Sequence, residues 1–141
     1  MREEIVLTLF ITLGLILIFS ISMRGETSIQ LPELTLNLST DKEVYHSSEE
    51  MSLTVAVGSE NVLENVTIRV YGVKDRGGRY RIHAERTVDL EPPETIETFT
   101  FQMPSCYGCA GVSSGDYDIV MEVLKDRKLI GNVSKIIKLE K

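Results

Sequence analysis

Cys106 and Cys109 are the residues whose spacing most sharply limits the chemistry open to them. A C-x-x-C pair serves as a redox dithiol, as half of a zinc site or as a short disulfide, depending on its surroundings. A redox dithiol places its first Cys at a helix N-terminus, where the dipole lowers the thiol pKa. Here Pro104, Gly108, Gly111 and Gly115 mark a loop, and no helical pattern follows. Zinc requires four ligands, and the only histidines, His46 and His83, are far away in sequence. The expectation is a local disulfide that pins a loop. A redox dithiol is the alternative.

Other reactive types are scattered. His46 sits in a Tyr-His-Ser-Ser turn and His83 on the outer face of a strand, each without a partner at a recognisable spacing. No catalytic residue is assigned, and the chain reads as a non-enzyme without a cofactor. Asp116, Asp118 and Glu122 share one strand face and could hold a cation, but carboxylates spaced along an exposed strand read as solubilising charge. No metal site is assigned. Lys74, Arg76, Arg79 and Arg81, with Arg86, surround Gly77 and Gly78 in an otherwise acidic chain. Outward Arg on an edge hairpin guards against sheet-to-sheet pairing. The same cluster could dock an acidic partner, a surface glycan or a lipid headgroup.

The elements that must position these residues are strands. Apolar and polar residues alternate with period two almost everywhere after residue 30, the pattern of half-buried strands. Leu34, Leu36 and Leu38 begin it; Met51, Leu53, Val55 and Val57 follow, then Val66, Ile68 and Val70. Asp-Arg-Gly-Gly at 75–78 is a hairpin signal. Beyond it Tyr80, Ile82 and Ala84 form the inward set against Arg79, Arg81 and His83. Pro92 and Pro93 impose a turn. Phe99, Phe101 and Met103 come next, then Tyr117, Ile119, Met121 and Val123. In the last strand Lys135 breaks the alternation, which predicts a bulge or a change of face. Leu36, Leu53, Val55, Val66, Ile68, Phe101, Ile119 and Met121 are expected in one core. Seven to eight short strands with turns every eight to twelve residues predict an all-β, Greek-key sandwich. Tyr117, two residues after Gly115 and before the next-to-last strand, has the sequence form of a tyrosine corner.

The first residues differ in kind. Residues 5–23 are apolar and uncharged, long enough as a helix to cross a bilayer core of roughly 30 Å. The expected organisation is a transmembrane anchor or signal segment at 1–23, a linker at 24–30 and a β-sandwich at 31–141. An uncleaved anchor is favoured, because the start is nearly neutral and the cleavage site is poor. Three of the four asparagines, Asn37, Asn65 and Asn132, open N-x-[ST] sequons at polar positions of the strand pattern. With the leader, they read as glycosylation of an exported domain. The formal net charge of −6 argues against nucleic acid as a partner.

Asp41-Lys42-Glu43-Val44-Tyr45, followed by Glu49, Glu50 and the alternating residues 51–57, resembles the opening of macroglobulin-like and related Ig-like domains. These often read D-K-x-x-Y-x-x-G-E, and Ser48 stands where that pattern has Gly. The stretch from Pro104 through the cysteines to Asp116, Tyr117 and Asp118 is similar to the end of Ig-like modules on archaeal surface proteins. The resemblance implies an Ig-like sandwich and leaves the function open.

Three readings follow. One is a single-pass protein of the cell membrane whose extracytoplasmic Ig-like domain binds or supports an unknown protein or glycan. Another is a surface filament or sheath subunit that self-associates. The third is an extracytoplasmic thiol–disulfide carrier using Cys106 and Cys109.

Overall fold

A computed structural model describes residues 32–105 and 111–141. The apolar run, the linker, Cys106 and Cys109 lie outside the described residues. The chain divides into two units, Met1–Gln30 and Leu31–Lys141. The second is built of eight strands: β1 (Leu34–Thr40), β2 (Val44–His46), β3 (Glu50–Ser59), β4 (Leu63–Lys74), β5 (Tyr80–Leu90), β6 (Glu94–Gln102), β7 (Gly115–Lys125) and β8 (Lys128–Glu140).

They form two sheets, one in the order β1-β3-β6 and one in the order β2-β8-β7-β4-β5. All pairings are antiparallel except β2 with β8, which is parallel. Two hairpins stay within the five-stranded sheet, and every other connection crosses between sheets. The core lies between the sheets. Met51, Leu53, Val55 and Val57 of β3 face Val66, Ile68 and Val70 of β4 and Ile119, Met121 and Val123 of β7, all fully buried. Of the eight expected core residues, Leu36 and Phe101 are half-buried and pack against this cluster, because β1 and β6 are edge strands.

The turn residues explain the hairpins. Asp126 and Arg127 both take positive φ, 51° and 64°, as the two central residues of a type I′ turn require. In the β4–β5 turn, Gly78 takes φ 82° and donates its N–H to the Asp75 carbonyl at 3.0 Å. Asn65, at φ 54°, sits where the β4–β5 register shifts between Leu63 and Val66.

Two expectations are corrected. Lys135 pairs in register with Ile119, and the irregularity of β8 lies near Ile130, where Val123 pairs with Gly131 and Leu124 with Leu129. Lys135 is therefore an inward-side lysine on a regular strand, with Ile136 turned outward and 64% exposed. His46, expected in a turn, instead ends a short strand, because Val44–His46 pairs with the end of β8 and the turn begins after it.

Candidate functional site

The D-K-x-x-Y segment is a lock at one edge of the sandwich. Tyr45 is fully buried. Its hydroxyl donates to Asp41 Oδ1 at 2.7 Å and accepts the Lys42 N–H at 2.9 Å. Asp41 Oδ1 also accepts the Ser52 N–H at 2.8 Å. Lys42 Nζ pairs with Glu49, whose other oxygen accepts the His46 N–H at 2.8 Å. Ser48 takes φ 63°, the left-handed conformation that Gly would adopt freely. These residues hold β2 and β3 together. His46 is exposed, with ring nitrogens 3.5 Å from Glu49 and 3.9 Å from Glu140.

The basic cluster divides into separate arrangements around an acid. Asp75, with its side chain only 2% exposed, lies between two arginines: Oδ2 is 3.0 Å from Arg81 Nε and 3.4 Å from Arg79 Nε. Its Oδ1 accepts the Arg79 N–H at 3.0 Å. That backbone hydrogen bond first, and the arginine charges after it, hold the carboxyl below the usual range. The Arg76 N–H donates to the Gly111 carbonyl at 2.9 Å, tying the far side of the cysteine loop to the hairpin. Arg86 is elsewhere. It pairs with Glu97 of the opposite sheet and covers the Phe99 ring at 4.7 Å. β5 is an edge strand, and an ion pair turned inward between two sheet edges discourages a further strand.

The arrangement that sequence reasoning missed is on the outer face of the five-stranded sheet. By alternation Tyr80 belongs with Ile82 and Ala84 on the inward side. Instead it is 48% exposed, and its ring lies 4.7 Å from that of Tyr71, tilted by 56°. The cause is in β4. Val73 takes φ 50°, a genuine outlier for a β-branched residue. Gly72 and Val73 are consecutively buried, so the pleat inverts there. The cross-strand pair Lys74–Tyr80 beyond it is turned out of the sandwich. No sequence pattern signals a left-handed valine.

The surroundings hold the tyrosines in place. Tyr71 donates its hydroxyl to Glu122 Oε1 at 2.8 Å, and this bond, with some burial, pushes its phenol pKa up. Arg69 spans two carboxylates, with Nη1 3.3 Å from Glu122 Oε2 and Nε bonded to Glu85. His83 lies 3.8 Å from Glu85. Lys74 Nζ stands 5.5 Å from the Tyr80 ring centre, within cation–π range. Arg69, Tyr71, Tyr80, His83, Glu85 and Glu122 wall a groove of about 320 Å³.

The remaining expected residues fall as follows. Glu122 is engaged by Tyr71 and Arg69, apart from Asp116 and Asp118, and among the described residues no three His, Cys, Asp or Glu side chains converge as metal ligands. Asn37, Asn65 and Asn132 are all exposed, on β1, at the β4 irregularity and on β8. Tyr117 donates its hydroxyl to the Ser113 carbonyl at 2.6 Å. That bond runs to the backbone four residues upstream. No helix among the described residues is long and apolar enough to cross a membrane.

The strand orders β1-β3-β6 and β2-β8-β7-β4-β5, with Tyr117 at the start of the next-to-last strand, define an Ig-like β-sandwich. No family model and no curated protein matches the chain. Solved structures do. The crystal structure of the CARDB domain of a Pyrococcus furiosus protein, in complex with di-metal ions, is similar with a TM-score of 0.58 at 18% identity, covering 82% of this chain and 95% of that one. A solution structure of the same domain gives 0.57 at 18%, over 79% and 97%. The Pseudomonas fluorescens alkylpurine DNA glycosylase AlkC gives 0.54 at 14%, over 78% of this chain but only 31% of that one. At these identities the likeness establishes the fold. The described residues gather no ligand set for a metal pair such as that of the archaeal domain.

Proposed function

We propose that the chain is a non-enzymatic, membrane-anchored Ig-like domain that binds or supports a partner outside the cell membrane. The observation that carries this reading is an uncharged apolar run followed by an Ig-like sandwich whose three sequon asparagines all face solvent. A span of that length holds a domain at the bilayer, and exposed sequon asparagines fit exported surfaces. The test is fractionation of native cells with alkaline carbonate, followed by protease treatment of intact cells. Retention in the membrane pellet with loss of the domain to external protease is expected. Release by carbonate, or protection from protease in intact cells, overturns the reading.

One observation favours a second reading, a self-associating sheath or filament subunit. The middle of the outer face of the three-stranded sheet carries no charge: Asn37, Ala56 and Ile96 form one row and Ser39, Thr54 and Thr98 the next. Ile96 is 60% exposed. Depletion of charge is typical of the buried centre of protein interfaces. Particle size in mild detergent separates the readings, since a filament subunit elutes as a large assembly and an anchored module as a small one.

A further inference from the structure

We infer that the outer face of the five-stranded sheet is a binding site for an uncharged saccharide, seated on Tyr80 and Tyr71. The inference rests on the binding module proposed above and gives its ligand a chemical class.

Tyr80 carries the first part of the argument. Strand parity would bury this ring, and the left-handed Val73 turns it out to solvent. A β-branched residue at positive φ is strained, and such strain persists where the surrounding structure enforces it, often at binding sites. What the inversion produces is a tilted pair of tyrosine rings on the surface. The negative face of an aromatic ring attracts weakly positive C–H edges. A pyranose ring presents a face of axial C–H bonds and a rim of hydroxyls. It therefore matches an aromatic wall beside hydrogen-bonding groups.

Those groups are present and fixed. Glu122 and Glu85 offer acceptors and Arg69 a planar donor, and the three are bonded to one another or to Tyr71. A ligand meets side chains whose rotamers are already set, which lowers the entropy cost of binding. The groove, about 320 Å³, is at the small end of the range for ligand pockets, roughly 300–1,000 Å³.

Charge selects among saccharides. In the groove Arg69 stands against Glu85 and Glu122, and in a second groove on the other side of the tyrosines Lys74 stands against Asp116 and Asp118. A phosphorylated, sulfated or uronic sugar would meet these carboxylates with no surplus cation to offset them. A metal ion or a polyamine would meet the Arg69 guanidinium, already paired with both carboxylates of the groove. An uncharged sugar avoids both penalties.

The experiment uses the full chain in a detergent without a sugar headgroup, probed on an array of neutral hexose and N-acetylhexosamine oligosaccharides beside sialylated and sulfated ones. Affinity for the best neutral oligosaccharide is then measured by titration calorimetry. Tyr80→Ala is expected to weaken that affinity at least tenfold with an unchanged melting temperature, because the ring is half exposed. Ile136→Ser, on the same face but away from the tyrosines, should leave it unchanged. Tyr71→Phe tests the lock on Glu122 and should weaken binding severalfold. The inference is overturned by no neutral glycan binding at millimolar concentration, by preference for the acidic glycans, or by a Tyr80→Ala affinity equal to that of the parent. Membrane retention and protease exposure are read separately, so failure here leaves the anchored-domain reading standing.

Discussion

The lock around Tyr45 shows how a short motif becomes structure. Asp41, Lys42, Tyr45 and Glu49 lie within nine positions, yet they bond both to one another and to Ser52 of the next strand. The Tyr45 hydroxyl makes two hydrogen bonds in a fully buried setting, so Tyr45→Phe should cost about 1–2 kcal/mol. Tyr117 is half-buried with a single bond to Ser113, so Tyr117→Phe should cost about 1 kcal/mol or less. Urea denaturation of both variants checks the order, and a larger loss at Tyr117 would contradict it. The carboxylates of this region also set an acid limit. The Lys42 ammonium, with the His46 N–H behind it, lowers the Glu49 pKa from 4.5 to about 2; Asp41, Asp75 and Glu140 are lowered as well. A carboxyl depressed in the folded state stabilises above its unfolded pKa and withdraws that stability as pH falls through the folded one. The melting temperature should therefore fall between pH 4.5 and about 2. Glu49→Gln should melt lower than the parent at neutral pH and converge with it near the bottom of that window. Parallel curves throughout would exclude Glu49 as a contributor. At this scale the sequence was informative where bonds are local: the Tyr117 bond spans four residues and the Tyr45 lock has a recognisable spacing. It was uninformative for Tyr80, whose direction depends on the backbone angle of Val73, and for Asp75, whose burial depends on how the hairpin folds back.

Alternation made the strands legible, because one face of each sheet is buried and a slip of one residue would invert every side chain. It misled where the element is irregular or lies at an edge. Lys135 keeps inward parity on a stretch of β8 that β2 is too short to cover, and an inward charge at an uncovered edge needs no bulge. β2 itself, three residues long, is too short to show a period. Close packing between elements is also invisible in a pattern, and two glycines make it testable. A Cβ on Gly72 would lie 2.5 Å from Ile119 Cδ1 and 2.8 Å from the Asp118 carbonyl oxygen. The second of these is ladder backbone and cannot yield, so Gly72→Ala should cost about 1–3 kcal/mol or more. A Cβ on Gly131 would clash with the tip of Leu36, at 2.8 Å, and meet Leu34 at an ordinary 3.9 Å, and Leu36 is half-buried and can rotate. Gly131→Ala should stay within about 1 kcal/mol of the parent, since alanine also restricts the unfolded chain. Thermal melts of the pair would refute this packing argument if Gly131→Ala proved the more damaging.

At the scale of the whole molecule, the sandwich could be read from strand count and turn spacing, but the division into three and five strands could not. Sheet partners are distant in sequence, and period two does not say which strands meet. The same limit applies to the cysteines. Cys106 and Cys109 lie outside the described residues, but both flanks of their loop are fixed. The Met103 N–H donates to the Glu49 carbonyl at 2.8 Å, the Gly111 carbonyl accepts from Arg76 at 2.9 Å, and Val112 is buried. A bond across so short a loop removes little chain entropy, about 2 kcal/mol or less, and flanks already pinned reduce what it can add. The expected role is to fix the path from β6 into the Tyr117 end of β7. A structural disulfide of an exported domain resists reduction, with a potential below roughly −300 mV, whereas a thiol carrier must exchange at roughly −200 mV. Equilibration of the full chain with glutathione and thioredoxin buffers, followed by thiol alkylation and mass measurement, decides between them. Slow exchange and a low potential are expected, with Cys106→Ser lowering the melting temperature only slightly. Rapid exchange at the higher potential, with a Cys106 thiolate already formed at neutral pH, would instead make the sandwich a scaffold for redox chemistry and the third reading the right one.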